Sequence, residues 1–196
     1  MKKITDRFWL GVVSGLGGNV AKFAVEKFFN KIGFSKGNGQ KTAAGIFLKS
    51  ADISTPYGKA VGYIADNMIA VSLGVTCAYW LTLMGKDKYL LKGAGLGALE
   101  WGALYGVLSR LGATAIYPVK PQDAIAVFAS HLAFGATKMI ITTKLGDERL
   151  FKPKNLTMEI SDPQSLFPKL AAENRHPRQS KVISNRRLGL HLSALK

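Results

Sequence analysis

Cysteine is nearly absent from this sequence: Cys77 stands alone among 196 residues. A single thiol excludes an intramolecular disulfide framework and any zinc site built on paired cysteines. Its position in an apolar run is that of a buried, inert side chain. Histidine is scarce too, with three in the chain and only His131 inside an apolar segment. Neither H-E-x-x-H nor G-x-S-x-G occurs, so the local signatures of zinc proteases and serine hydrolases are missing. No enzymatic activity, cofactor or metal is expected.

Acidic residues are also few, 12 against 27 Lys and Arg, for a formal charge of +15. Such an excess commonly marks a phosphate-binding surface. Here the placement of charge argues for another class. Residues 8–21, 67–85, 111–119 and 124–137 contain no Asp, Glu, Lys or Arg, while the basic residues gather at the ends of these stretches and in the last quarter of the chain. Apolar runs with cationic ends describe membrane spans and their loops. The mean hydropathy of +0.11 is low for that class, because a polar tail after about residue 152 dilutes it.

A bilayer core requires about 20 mostly apolar residues per helix. Four segments meet that length, at about 8–29, 60–84, 90–116 and 124–144. The second includes "MIAVSLGVTCAYWLTLMG", an uncharged run in which a soluble amphipathic helix would show a charged face. Glycines and lysines in "NKIGFSKGNGQK", the turn "GKDK" and the stretch "YPVKPQD" separate the spans. Pro121 suits a first helical turn, and Asp123 can accept from exposed backbone donors. Tyr79, Trp80, Tyr89 and Tyr117 fall near span ends, as an interfacial aromatic belt requires. Within the long connection 30–59, "AAGIFLKS" is too short to span and is expected to lie along the surface.

The stretch "KGAGLGALEWGALYG", residues 92–106, contains Gly93, Gly95 and Ala98 in the spacing of a dinucleotide-binding turn. That motif needs a preceding strand and an acid about 20 residues later. Only "KYLL" precedes it and "LGATAIY" follows, so the context fails. "GNGQKT" at 37–42 fails as a phosphate loop because Gln40 stands where glycine is needed. Small residues four apart instead let membrane helices approach closely. Gly11 and Gly15, Gly58 and Gly62, Gly93 and Gly97, and Gly102 and Gly106 are the expected packing glycines.

Ionisable groups inside a membrane are expensive and therefore functional candidates. At 1.5 Å per residue, Lys22, Asp66, Glu100, Arg110 and His131 fall at mid-depth or in the outer half, about 9–15 Å from the outer face for most of them. Together they form a candidate intramembrane polar cluster. Around His131, the residues Ala124, Val127, Gly135, Lys138 and Thr142 share one helical face, a small and polar stripe suited to a bundle interior. Asp66 shares a side with Gly62 and Ala70, and Glu100 with Gly93 and Gly97. The plainer expectation is a satisfied structural network, with Lys22 snorkelling outward and Lys138 inward.

The segments "FWLGVVSGLGGNVAK", "KGAGLGALEWGALYG" and "SHLAFG" resemble a group of small bacterial four-span inner-membrane proteins of unknown function, the YqhR-like and YagU-like group. The resemblance covers roughly residues 7–151 and implies a four-span topology in the bacterial cytoplasmic membrane. It implies no catalytic or binding residue.

The sequence thus predicts an all-α integral membrane four-helix bundle with glycine-rich packing over residues 1–151, followed by a mostly disordered basic tail over 152–196. Residues 174–196 carry six Lys and Arg and no acid, a composition suited to weak adsorption on anionic lipid. The lipid bilayer is the expected partner, with a membrane-protein partner or a homo-oligomer beside it and no nucleic acid. A structural or accessory role, by self-assembly or by binding a partner helix, is the first functional reading. A minimal transporter or channel component using the outer polar cluster is the alternative. A soluble basic nucleic-acid-binding protein is the second alternative.

Ten Lys and Arg flank the spans on the side of the termini and six on the other, which places both termini in the cytoplasm. A periplasm-dependent reporter fused after Lys196 is therefore expected to be silent, and one inserted near Gly39 active. The opposite pattern would invert the orientation.

Overall fold

The computed structural model describes residues 3–151, all within a compact unit spanning Met1–Pro153. The basic tail, with Lys152 and Lys154, and residue Lys2 at the other end lie outside the described residues. The described chain is helical apart from its turns and one isolated parallel bridge between Ile4 and Gly146.

Helix α1 (Arg7–Lys31) starts where the Asp6 carboxylate accepts from the Trp9 amide at 2.9 Å, which satisfies one of the orphan donors of its first turn. A short helix, α2 (Gly39–Ala44), follows. Helix α3 (Pro56–Met84) opens with Thr55 as its cap and Pro56 in its first turn, and stops at Gly85, whose φ of +70° favours glycine. Lys92 donates to the freed carbonyls of Met84 and Gly85 and to the Asp87 carboxylate, and this hydrogen bond holds Asp87 below the usual carboxylate range. Helix α4 (Tyr89–Trp101) and helix α5 (Pro121–Leu145) complete the set. The lengths and compositions of α1, α3 and α5, at 25, 29 and 25 residues, suffice to cross a membrane.

The third apolar segment departs from the sequence expectation. Helix α4 passes into a π-helical stretch, Gly102–Leu108, and regular structure ends at Arg110, short of residue 116. The wider turn is closed by the Ser109 hydroxyl on the Leu104 carbonyl at 2.9 Å and by the Ala113 amide on the Leu108 carbonyl at 3.0 Å. A π turn holds an extra residue, so everything after it rotates out of the α-helical register. Residues 111–120 return irregularly and dock on α2, with the Ala115 amide on the Gly45 carbonyl and the Thr114 hydroxyl on the Thr42 carbonyl, both at 2.8 Å.

The connection 30–59 also differs from expectation. Rather than lying wholly on the surface, it turns inward, and Gly39, Ala43 and Ala44 are buried, although Phe47 beyond them is exposed. Asp123 anchors the connection. Its carboxylate caps no donor of its own helix, and instead accepts from the Ser35 hydroxyl and the Lys36 amide at 2.8 and 2.7 Å.

Helix α1 lies between α3 and α5, and α4 packs on the other side of α5. The start of α1 meets the end of α5 through Ile4 and Leu145 and through Ile4 and Asp147. This near end is filled by Leu10, Cys77, Leu81, Met139, Leu150 and Phe151. The far end carries α2 and the 111–120 return. Helices α3 and α4, consecutive in sequence, do not form a packed pair.

Glycine decides two of the helix crossings. A Cβ on Gly11 would stand 2.4 Å from the Val75 Cα, and one on Gly15 would stand 2.3 Å from the Ala70 carbonyl, so α1 and α3 touch backbone to backbone. At the α4–α5 crossing, a Cβ on Gly93 would stand 2.6 Å from the Gly135 carbonyl oxygen, and one on Gly97 would stand 2.0 Å from that of His131. Gly58 and Gly62 serve differently. They admit the Asp52 carbonyl and the Gln40 carbonyl, and so receive the folded-in connection rather than another long helix. Gly102 and Gly106 meet nothing within 4 Å. The sequence expectation that they pack fails because nine residues, two and a half α-helical turns, set Gly102 opposite Gly93 and Gly106 opposite Gly97, away from α5.

Gly97→Leu is expected to destabilise the protein in detergent by about 1–3 kcal/mol or more, as overpacking does. Gly102→Leu should stay within about 0.5 kcal/mol of the parent. Equal losses in thermal unfolding would show that Gly102 is as closely packed as Gly97.

Candidate functional site

Charge and apolarity are inverted between the inside and the outside of this bundle. Leu83 is 83% exposed and Val20 69%, whereas Lys138 is 0% exposed. Lys22, Glu26, Asp66, Glu100 and His131 are all buried. A soluble domain almost never encloses so many ionisable groups beneath an apolar exterior.

Two ion pairs organise the interior. Lys22 of α1 donates to Asp66 of α3 at 2.5 Å, and Lys138 of α5 donates to Glu100 of α4 at 2.5 Å. The side chains reach one another because helical side chains lean toward their own N-terminus. Lys138 enters from the far end and leans back to meet Glu100 on the antiparallel neighbour. Neither lysine snorkels, contrary to the plainer expectation, because each finds a carboxylate inside. The Phe134 ring stands between the pairs, with its centroid 4.0 Å from the Lys138 nitrogen and 6.0 Å from that of Lys22. Both amines therefore gain from the face of one ring as well as from a carboxylate.

The first pair belongs to a larger network. Asn19 donates to the second oxygen of Asp66 at 3.0 Å and to Asn67 at 3.2 Å. Glu26, one turn beyond Lys22, accepts from the Gly39 amide at 3.2 Å, while its other oxygen has no partner. Gly39 is the point of convergence. A Cβ there would stand 3.0 Å from Glu26, 3.3 Å from Lys22 and 3.4 Å from Asp66. Thus α2 closes over the charged groups by presenting a backbone where any side chain would collide.

His131 lies beside this network. Its Nδ1 sits 2.9 Å from the Val127 carbonyl, and a carbonyl can only accept, so Nδ1 carries the proton. The imidazole packs edge-on against Tyr105 and Phe134, with centroids 5.3 and 6.2 Å away. Of the stripe around it, Val127, Gly135, Lys138 and Thr142 are buried with it.

These groups form one wall of a cavity of about 60 Å³ between α3 and the π segment, beneath α2. Lys22, Asp66 and His131 supply its polar lining, Gly39, Thr42 and Ala43 of α2 bound it, and Ile69, Leu73 and Leu104 are among its apolar walls.

Four of the five expected cluster residues meet in the interior, divided between two pairs and a neighbouring imidazole. Arg110 does not join them. It is exposed and donates to the Tyr117 hydroxyl at 3.2 Å. Glu26, Asn19 and the role of Lys138 were missed. The signal was present in α1, where Asn19, Lys22 and Glu26 recur at helical spacing on the face of Gly11, Gly15 and Gly18. Among the described residues, no group of three His, Cys, Asp or Glu side chains is placed to hold a metal ion. No protein-family model, curated protein or solved structure matches the chain.

Lys138→Met should strand Glu100 without a counter-charge and cost roughly 3–5 kcal/mol, the usual penalty for halving a buried pair. Adding Glu100→Gln should recover most of that loss. If the single variant unfolds at the parent temperature, Lys138 is not the charge that Glu100 depends on.

Proposed function

We propose that the protein is a four-span integral membrane protein of the bacterial cytoplasmic membrane, with both termini in the cytoplasm, and that it acts as a small transporter or carrier component. In this reading α4, the π segment and the turn to Arg110 form the fourth crossing. The resemblance to the YqhR-like and YagU-like group points to the same topology. The observation that carries the functional reading is the cavity between α3 and the π segment, lined at once by ionisable side chains and by apolar walls. A purely structural network would bury its ion pairs without leaving space beside them. The apolar plug at the near end closes one side and α2 covers the far side through Gly39, Thr42 and Ala43, so the cavity is reached from between α3 and the π segment.

A structural or accessory role is the second reading, and one observation favours it. Gly95, Gly102 and Gly106 are open on the outer surface of α4 and its π extension, where a partner helix or a second copy would approach closely. The soluble nucleic-acid-binding alternative is disfavoured by the apolar exterior.

Cysteine accessibility tests the cavity. In a Cys77→Ala background, Leu104→Cys should react with a small cationic methanethiosulfonate added from the periplasmic side, and not from the cytoplasmic side. Labelling from neither side, or from the cytoplasm alone, would overturn the reading.

A further inference from the structure

The interior of the bundle does not balance its charges. Glu26, Asp66 and Glu100 supply three carboxylates, and Lys22 and Lys138 supply two amines. Each lysine is committed to one acid at 2.5 Å. Glu26 remains, 4% exposed, with a single backbone amide on one oxygen and nothing on the other. The charged form of a buried carboxyl in this state lacks most of the compensation it requires, and a further cation nearby would supply it.

The cavity lining shows the same imbalance between donors and acceptors. With the Nδ1 proton of His131 given to Val127, Nε2 of the neutral ring is an acceptor with no donor opposite it among the described residues. Asp66 has spare lone pairs beyond those taken by Lys22 and Asn19. Two aromatic rings, Phe134 and Tyr105, line the same space, and ring faces attract cations. Toward the outside the walls become aliphatic, with Ile69 and Leu73 on α3 facing Leu104 and Leu108 on the π segment. The space is too narrow for a bulky ring system, since about 60 Å³ holds only a few small groups.

We propose that this cavity binds the protonated amine head of a single-chain amphiphile, with the ammonium donating to His131 Nε2 and Asp66, and the alkyl chain leaving between α3 and the π segment. The added positive charge offsets the uncompensated carboxylate of Glu26, which stands beside Asp66 at Gly39. An anionic head would meet Asp66 and an imidazole lone pair, both repulsive, and the one cation in the lining, Lys22, is already taken by Asp66. A neutral hydroxyl would satisfy Nε2 and leave Glu26 as it was. The inference rests on the cavity being a ligand site, as proposed above, and specifies what that site selects.

The test uses the full chain in neutral phosphatidylcholine nanodiscs, with thermal unfolding as the readout. Octylammonium, octanol and octanoate, equal in chain length, are added at matched membrane concentration. Octylammonium is expected to raise the unfolding temperature by several degrees while the other two leave it unchanged. The shift should disappear in Ile69→Trp, which fills the cavity, and shrink in Glu26→Gln, which removes the excess charge. Since the carboxamide oxygen of the second variant can still accept from the Gly39 amide, that variant should fold. If octanol or octanoate stabilises as much as octylammonium, the cation selectivity is wrong and the cavity reading stands. If none of the three stabilises the protein, the cavity reading fails with it. An octylammonium shift that persists unchanged in Ile69→Trp or in Glu26→Gln would also overturn the proposal.

Discussion

The structure depends on pairing charges where water cannot reach them. Lys22 with Asp66 and Lys138 with Glu100 each join two helices at 2.5 Å, and each is buried. In a low-dielectric interior such a pair is costly to assemble and far costlier to break, so the positions of its partners are effectively fixed relative to one another. One pair ties α1 to α3, and the other ties α4 to α5. Phe134, between the two amines, couples them through a single ring. The arrangement specifies which helix faces meet more than it adds net stability, because apolar replacements of buried pairs are often equally stable.

The need to satisfy backbone groups explains the folded-in connection and the 111–120 return. Where a helix ends beneath the far surface, its polar groups require partners, and irregular backbone is tolerated there only when buried against protein. The two segments supply those partners for each other, through Gly45 with Ala115 and Thr42 with Thr114. Gly39 gives its amide to Glu26 and, lacking a side chain, permits the charged groups to lie directly beneath it. The cap is thus held by the same network that it covers.

The π segment supplies one wall of the cavity. Gly102 and Gly106 stay on the surface on the side opposite Gly93 and Gly97, Arg110 reaches Tyr117, and Tyr105 packs against His131. With α3 leaning on α1 and α4 leaning on α5, space remains between α3 and the π segment beside the ionised groups.

The helical class and the three long apolar helices were legible in the chain alone, because hydropathy is a local property. The chain also marked Lys22, Asp66, Glu100 and His131, since any ionisable group in an apolar run stands out. The tertiary structure alone decided who pairs with whom. Glu100 faces Lys138 rather than Lys22 because α4 packs on α5, a neighbour relation that no single-helix periodicity encodes. Likewise, nothing in the spacing of Gly102, Gly106 and Arg110 announces a π turn, which inserts one residue and rotates all that follow. The burial of Gly39 over Glu26 was equally hidden, because it depends on a loop meeting a helix 13 residues earlier in the chain, across a distance at which sequence pattern carries no information.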